Sequence, residues 1–422
     1  MRNPQPASSR SLTTEGCFSG SPLSPSRAPL ATALVCMGSG GYPAASQDGN
    51  ACLKVACAWS PYLLFVLSAC LWLGAGCCYR PVNTADVLHD PGVRRIDPND
   101  GPFVIEVEQQ TSEDGSEPQT VHTIKWKPTR VRLDLAEGRT FSLRYRASHF
   151  RLSSHPAVDV EMPGGNRYAA LLDTGYSGAV YVNDLVVRES DLAVFPLGNH
   201  SETGCATGCC EIPVMKLGAA EIHNPQCVYD QRHWQLRVLG LPLYRRKMVL
   251  LGLDLMRHFA YILFNNAQRE VVFSPFDSFD PGDGAAWVSH PFALERVDGE
   301  LRLMTDISIG RGDVHVEFDT GGGKPGLLLR QDTWQKISAD AGARGGSKKL
   351  QQSYQYGWNW CRQYVLPNVQ LGPLTLKDIK TNVLPDDSRL GQDYEGIVSL
   401  HCFRNTAVVL DFRQNLLWVR EF

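Results

Sequence analysis

Two short stretches of the chain each place one carboxylate between an apolar run and a glycine. The first is Leu171-Leu172-Asp173-Thr174-Gly175, and the second is Val316-Glu317-Phe318-Asp319-Thr320-Gly321. Like charges about 3 Å apart cannot both ionise, so two such carboxylates brought together would share one proton. One group would then serve as an acid and the other as a base. Threonine can hydrogen-bond across to the partner loop, and glycine lets backbone N–H groups approach the carboxylate.

The same local pattern precedes each carboxylate. In the first half, residues 157–162 alternate between apolar and polar, a glycine-containing turn follows, and residues 167–172 return toward the carboxylate. In the second half, residues 304–309 alternate in the same way and residues 314–318 return after a similar turn. Alternation on both sides of a glycine turn predicts a β-hairpin in each half.

Matched positions in the two halves also keep almost the same distance from the carboxylate. The first matched position lies 79 residues after Asp173 and 80 residues after Asp319, and the second lies 92 residues after each. These pairs are Gly252 with Ser399 and Asn265 with Asp411. Two unrelated turns would not keep such a phase, so the spacing indicates an internal duplication of a β unit.

With these motifs, residues 150–422 resemble the aspartic proteases, both pepsin-like and retropepsin-like, whose signature is two hydrophobic residues followed by Asp-Thr/Ser-Gly. The resemblance is to a bacterial exported type with both motifs in one chain. It implies an all-β fold with two related β-barrel lobes, at residues 130–275 and 287–422, and an active-site cleft between them. The stretch 250–256 looks like the retropepsin-type strand and short helix that pass behind the catalytic turn.

The resemblance also implies roles for the site residues. Asp173 and Asp319 would bind one water, one acting as general base and the other as general acid, and would hydrolyse peptide bonds. Thr174 and Thr320 would cross-brace the two turns, in which Gly175 and Gly321 follow. The implied activity is that of an aspartic endopeptidase, and the expected partner is a peptide or protein substrate. No cofactor and no metal are expected, and we expect a monomer.

Three positions depart from the family pattern. Tyr176 and Gly322 stand three residues after the aspartates, where pepsin-like enzymes often carry Ser or Thr, and Ser399 stands where glycine is usual. The alternative interpretation is therefore a catalytically inactive module that keeps the fold and binds peptides or proteins.

A flap that closes over the substrate has two candidate locations. One is residues 203–208 in the first half. The other is residues 354–360 in the second half, where Tyr354, Tyr356 and Trp358 could close over a peptide. The same aromatic residues would also suit ordinary strands.

The residues before the duplicated body divide into three segments. Residues 1–54 are rich in Ser, Pro, Gly and Ala, which predicts disorder or a start codon placed too early. Residues 55–78 are an uncharged apolar run, interpreted as an export signal, a lipoprotein signal with Cys70 or Cys77 as the lipidated residue, or an uncleaved membrane anchor. Residues 79–129 are interpreted as a spacer with one strand near residues 103–107.

Charge and cysteine content narrow the possible locations and partners. The formal net charge of −3 gives no electrostatic case for nucleic acid. The export segment predicts a cell-envelope protein, tethered to the membrane on its periplasmic or extracellular side. In such a location a disulfide is expected among the first-half cysteines, and Cys205–Cys227 and Cys209–Cys227 are both conceivable.

We predict that full-length protein partitions into a detergent phase, because one lipidated cysteine carries acyl chains. Serine at the lipidated position, Cys70 or Cys77, should block processing. The serine variant at the other cysteine is the matched control and should be processed normally. Full-length protein that remains in the soluble cytoplasmic fraction would contradict the predicted export.

Overall fold

The computed structural model of this 422-residue chain describes most of the duplicated body. Several of the expectations above concern residues that the structure does not describe. These are residues 1–54, Cys70, Cys77, Tyr354 and Tyr356. The described ranges are 78–83, 92–97, 101–110, 119–133, 140–146, 155–199, 206–238, 241–282, 286–297, 299–353, 357–385 and 394–420.

Most of the described residues lie in β-strands, so the prediction of an all-β fold is confirmed. In chain order, the strands up to the end of the first half are β1 (Cys78–Asn83), β2 (Phe103–Gln110), β3 (Gln119–Trp126), β4 (Arg130–Leu133), β5 (Phe141–Arg144), β6 (Ala157–Glu161), β7 (Arg167–Asp173), β8 (Val180–Asn183), β9 (Val194–Asn199), β10 (Ala206–Cys210), β11 (Val214–Leu217), β12 (Ala220–His223), β13 (Cys227–Asp230), β14 (Arg232–Val238), β15 (Leu241–Arg246), β16 (Val249–Gly252), β17 (Tyr261–Asn265) and β18 (Glu270–Ser274).

The second half continues the series with longer strands. They are β19 (Trp287–Pro291), β20 (Ala293–Val297), β21 (Glu300–Ile309), β22 (Gly312–Asp319), β23 (Leu327–Arg330), β24 (Arg344–Ser353), β25 (Gly357–Leu371), β26 (Leu374–Leu384), β27 (Gly396–Ser399), β28 (Ala407–Asp411) and β29 (Leu416–Arg420). The helices of the described part are short: α1 (Asp184–Glu189), α2 (Leu253–Met256), α3 (Gln331–Ile337), and 3₁₀ turns at Pro163–Gly165 and Leu400–Phe403.

The two halves build their main sheets in the same order. The first-half sheet has the order β4-β12-β11-β6-β7-β16-β8-β13-β10-β9, and the second-half sheet has the order β20-β21-β22-β27-β23-β26-β25-β24. Seven strands therefore correspond, from β6 with β21 to β9 with β24. In both halves a short helix follows the third of these in chain order, α1 after β8 and α3 after β23. The duplication indicated by the sequence spacing is thus also present in the strand order.

The register of the paired strands explains why the matched positions lie at nearly the same distance from each carboxylate. β7 and β16 run parallel with Asp173 opposite Gly252, and β22 and β27 run parallel with Asp319 opposite Ser399. Each carboxylate thus ends a strand that is paired on both sides, since β6 and β21 flank the other edges. A central strand is held by two ladders of hydrogen bonds, which fixes where its last side chain lies.

A six-stranded sheet with the order β19-β29-β28-β17-β18-β5 combines strands from both halves. At its centre β17 pairs with β28, and Leu263 faces Val409. Thr174 and Thr320 are 146 residues apart, and the same separation relates Leu263 to Val409. Each half therefore contributes the equivalent strand, and the pairing is self-complementary, as in a two-fold interface.

One apolar core runs through both halves. The alternating side chains of the main sheets supply most of it, and aromatic rings fill its centre. Among its most buried side chains are Phe264, Phe273, Phe318 and Phe403. Burial of this apolar surface is the main driving force that holds the sheets together.

The stretch interpreted as a spacer, residues 79–129, contains a packed hairpin. β2 and β3 pair over their full length, and Phe103 is almost fully buried against Ile96, Ala193 and Cys209. Trp126 meets the Phe103 ring edge-on with their centroids 4.9 Å apart. The strand expected near residues 103–107 is thus present as β2, and a second strand, β3, pairs with it.

The chain forms two compact units. The larger includes Asn83–His233 and Arg246–Phe422, and so holds both main sheets and both carboxylates. The smaller includes Trp234–Arg245 and is described as a three-stranded sheet with the order β1-β14-β15. Within the described ranges, none of the helices has the length and apolar character to cross a membrane.

Candidate active site

The two Asp-Thr-Gly turns lie next to each other, and their threonines are reciprocally hydrogen-bonded. Thr174 Oγ1 accepts from Thr320 N at 2.9 Å and donates to the Phe318 carbonyl at 2.6 Å. Thr320 Oγ1 accepts from Thr174 N at 2.9 Å and donates to the Leu172 carbonyl at 2.8 Å. Both threonines are fully buried. Four hydrogen bonds with no access to water thus join the ends of β7 and β22.

The glycines bring each turn against the carboxylate of the other. Gly175 N donates to Asp173 Oδ1 at 3.0 Å, and Gly321 N donates to Asp319 Oδ1 at 2.7 Å. A Cβ on Gly175 would lie 2.7 Å from Asp319 Cγ, and one on Gly321 would collide with the Asp173 carboxylate. Glycine is therefore required at both positions by close approach of the backbone.

The two carboxyl groups lie close enough to interact, and burial raises the pKa of both. The charge of Asp319 raises the pKa of Asp173 further, because two negative charges in this space repel each other. The interaction with the Asp173 carboxyl and the hydrogen bond from Gly321 N act in the opposite direction on the pKa of Asp319. Burial and mutual repulsion thus favour a pair that holds one proton.

A charged pair that the sequence analysis did not identify lies beside the two turns. Arg302 Nη1, from β21, donates to the Gly175 carbonyl at 2.5 Å and to Glu317 Oε1 at 3.0 Å. Glu317 is almost fully buried on β22, two residues before Asp319, and Glu300 contacts the same guanidinium from solvent. Arg302 thereby links the first-half turn to the strand that carries the second-half carboxylate.

Burial and the charge of the partner have opposite effects on the pKa values of Glu317 and Arg302. Burial raises the pKa of Glu317 to about 7, with the charge of Asp319 in the same direction and that of Arg302 opposing. Burial lowers the pKa of Arg302, but the carboxylates of Glu317 and Glu300 outweigh it and hold the guanidinium charged. One signal of this pair was present in the sequence: an ionisable residue within the apolar run Val316-Glu317-Phe318.

The three departures from the family pattern compensate one another. In the first half, Tyr176 packs over Gly252, where a Cβ would lie 2.5 Å from the tyrosine ring. In the second half the sizes are exchanged, and a Cβ on Gly322 would lie 3.1 Å from Ser399 Cβ. In the first half the turn carries the bulky residue, Tyr176, and the parallel strand behind it carries glycine. In the second half the turn carries glycine, and the parallel strand carries the larger residue, Ser399.

Ser399 also contributes hydrogen bonds to the loop that follows Asp319. Its buried hydroxyl donates to the Gly323 carbonyl at 2.7 Å and accepts from His401 N at 3.2 Å. In the first half, the backbone makes the equivalent link, since Leu253 N donates to the Tyr176 carbonyl at 2.8 Å. Both turns are therefore supported from behind, by different atoms.

The flap candidates fall on equivalent hairpins. Residues 206–208 of the first candidate begin β10, where Gly208 is packed so closely against Tyr229 that a Cβ would lie 2.5 Å from the ring. Trp358 lies in β25, opposite Gln352 of β24. Trp360, two residues further on, is 63% exposed. The tips of both hairpins, residues 200–205 and 354–356, lie outside the described residues.

Of the two predicted cysteine pairings, only Cys209–Cys227 lies within the described residues. Cys227 Sγ contacts Cys210 Sγ, at 2.6 Å. Cys209 packs instead in the cluster around Phe103, and Cys205 lies outside the described residues. The Cys209–Cys227 alternative is therefore wrong, because successive residues of a strand point to opposite faces of the sheet.

No protein-family model matches the chain, and no curated protein is similar to it. Among solved structures, the chain is similar to conglutin gamma, a basic 7S globulin from lupine seeds. That similarity has a TM-score of 0.37 and 8% sequence identity, and it covers 67% of this chain and 94% of that chain. The functional argument therefore rests on the residues of the site.

We predict that Thr320→Val lowers the free energy of unfolding by about 2–4 kcal/mol, because Thr174 N and the Leu172 carbonyl both lose a buried partner. Thr320→Ser keeps the hydroxyl and is the matched control, with an expected loss of about 1 kcal/mol or less. Urea unfolding of the two variants provides the measurement. Equal losses for valine and serine would mean that the hydrogen bonds contribute nothing.

Glu317 should make stability depend on pH. Its folded pKa is about 7 against an ordinary value of 4.5, so its contribution is fully present below pH 4.5 and is lost as the pH rises through 7. Relative to Glu317→Gln, the wild type should therefore lose about 3 kcal/mol of unfolding free energy between these limits. Glu300→Gln removes an exposed carboxylate from the same arginine and is the matched control. A pH-independent difference between the wild type and Glu317→Gln would contradict the assignment.

Proposed function

We propose that the protein is an aspartic endopeptidase that hydrolyses peptide bonds with a water held between Asp173 and Asp319. The observation that carries the proposal is the pair of buried, interacting carboxyl groups at the meeting point of two threonine-braced turns. Burial and mutual repulsion keep one proton on the pair. A pair in that state has an acid and a base at the same place, which attack of water on a peptide carbonyl requires.

The chemistry follows from the position of the shared proton. In this proposal Asp319 carries the charge in the resting pair, since the hydrogen bond from Gly321 N and the charge of Arg302 oppose the burial that raises its pKa. It takes a proton from the water as the water oxygen bonds to the peptide carbonyl carbon. Asp173 gives its proton to the carbonyl oxygen, so that a neutral tetrahedral diol forms. Asp319 then gives its proton to the peptide nitrogen while Asp173 takes a proton from one hydroxyl of the diol, so that the carbon–nitrogen bond breaks. An amine and a carboxylic acid leave, and the pair is again singly protonated.

The fold supports a bilobal arrangement of the aspartic-protease type. Seven strands of each main sheet follow the same order, and each half contributes one strand, β17 or β28, that pairs with its counterpart in the six-stranded sheet. In this proposal each main sheet is one lobe, the substrate lies in the cleft where the two turns meet, and one chain supplies the whole site. The equivalent hairpins β9–β10 and β24–β25 are then the flap candidates.

We propose the location from the sequence alone. Residues 55–78 are interpreted as an export signal or anchor, which would place the body on the outer side of the membrane, tethered by a lipid or by that segment. The substrates would then be peptides or proteins of the cell envelope.

Asp173→Asn and Asp319→Asn should each lower the rate of peptide cleavage by about 10²–10⁴-fold while the fold is kept, because asparagine fits the turn but cannot exchange the proton. Cleavage by the wild type should follow a bell-shaped pH profile set by the pair as a unit, and a statine-type inhibitor should block it. Asp313→Asn, at the exposed start of β22, is the matched control and should cleave normally.

The same experiment distinguishes the enzyme from an inactive binding module with this fold. For a binding module, peptide affinity measured by calorimetry would change in the two variants, and any trace of cleavage would be the same in all proteins. Equal cleavage by the wild type and by the protein with both aspartates replaced would overturn the endopeptidase assignment.

A further inference from the structure

Two cysteines that take no part in the proposed chemistry face each other across a pair of antiparallel strands. β10 and β13 pair with Gly208 opposite Tyr229 and Cys209 opposite Val228. The next position in this register sets Cys210 opposite Cys227. Residues directly opposite in an antiparallel pair have Cα atoms about 4.5–5.5 Å apart, and both side chains lie on the same face. That separation lies within the range of about 4.4–6.8 Å that a disulfide spans.

The side chains of Cys210 and Cys227 are in contact. The two Sγ atoms are 2.6 Å apart, in contact with each other. Both cysteines are fully buried in the core of the larger unit, in the same cluster as Ile212 and Tyr229. No rearrangement of the backbone is therefore needed to join them.

The side chain of the neighbouring cysteine, Cys209, packs in a different cluster. Cys209 packs with Ile96, Phe103 and Ala193, in a cluster separate from the one that holds Cys210. Adjacent residues of a strand lie on opposite faces, so Cys209 and Cys210 cannot both reach Cys227. The choice of partner for Cys227 thus follows from strand geometry.

We propose that Cys210 and Cys227 form an intramolecular disulfide in the folded protein. The two thiols lose two protons and two electrons as the S–S bond forms, and a disulfide donor, either an oxidoreductase or a small-molecule disulfide, accepts the electrons and becomes a dithiol or two thiols. The link closes a loop of 17 residues. Loops of this length restrict the unfolded chain enough for a substantial gain in stability.

The order of events follows from the burial of the pair. Exchange proceeds through the thiolate, and burial raises the pKa of the Cys210 thiol well above its usual range. The bond must therefore form before the sheet closes over the sulfurs. Once formed, it is inaccessible to reductants in the native state.

The link would secure one wall of the candidate site. It joins β10, whose hairpin with β9 includes a flap candidate, to β13, which pairs with β8 behind Tyr176. This consequence rests on the proposed function, whereas the disulfide itself does not.

Tryptic mapping of the full chain, refolded with oxidised and reduced glutathione and alkylated before digestion, tests the proposal. Cleavage after Arg188 and Lys216 yields a peptide, 189–216, with three cysteines, and cleavage after Arg232 yields a peptide, 217–232, with Cys227 alone. We expect these two peptides to be linked without reductant. Fragmentation between Cys209 and Cys210 should place the link on Cys210. Alkylated Cys227, or a link to Cys205 or Cys209, would overturn the proposal.

Serine variants give an independent measurement of the effect on stability. The thermal midpoint of Cys210→Ser/Cys227→Ser should be on the order of 10 °C lower than that of the oxidised wild type. Reduction of the unfolded wild type before refolding should cause a similar loss. Cys361→Ser, at a buried cysteine of the second half, is the matched control and should keep its linked peptides. If the double variant fails to fold, the peptide map of the wild type still decides. An unchanged midpoint in the folded double variant would contradict a stabilising link.

Discussion

The reciprocal hydrogen bonds of Thr174 and Thr320 are the constraint on which the rest of the site depends. Each hydroxyl accepts from the backbone of the other turn and donates to the strand that leads into that turn. Neither turn can therefore move away from the other without breaking four buried hydrogen bonds. An unpaired polar group in such a place is costly. The two carboxylates are therefore held together despite their mutual repulsion, and that repulsion is what keeps a proton between them.

Much of this arrangement was accessible from the sequence because it depends on local pattern and spacing. The alternation before each carboxylate predicted the hairpins β6–β7 and β21–β22, and the near-equal spacing to Gly252 and Ser399 anticipated their shared register. Asp173 and Asp319 could be identified as candidate catalytic residues because their turns recur at nearly the same distances from the matched positions in each half. All-β architecture followed from the same observations.

What the sequence could not supply depends on contacts between distant elements. The hydrogen bond from Arg302 to the Gly175 carbonyl joins elements that are remote in the chain, and no periodic pattern in the sequence predicts it. The partner of Cys227 became clear only when the register of β10 and β13 was known. The hairpin β2–β3 was underestimated because its burial depends on Ile96 and Ala193, which belong to other segments.

The sizes of Tyr176 and Ser399 show why departures from a motif are hard to interpret one residue at a time. Each looks unfavourable alone, yet each is matched by a glycine at the position it faces, Gly252 or Gly322. The core tolerates exchanges that conserve total volume, whichever side carries the larger side chain.

The self-complementary pairing of β17 with β28 has a consequence for how such a molecule can diversify. In a symmetric assembly of two identical chains, every substitution appears twice, once on each side of the axis. Here the copies are covalently continuous, so a change can occur on one side alone. Arg302 and Glu317 have Pro156 and Leu171 at the equivalent first-half positions. The ion pair thus exists in a single copy, and it distinguishes two aspartates that exact symmetry would have kept identical.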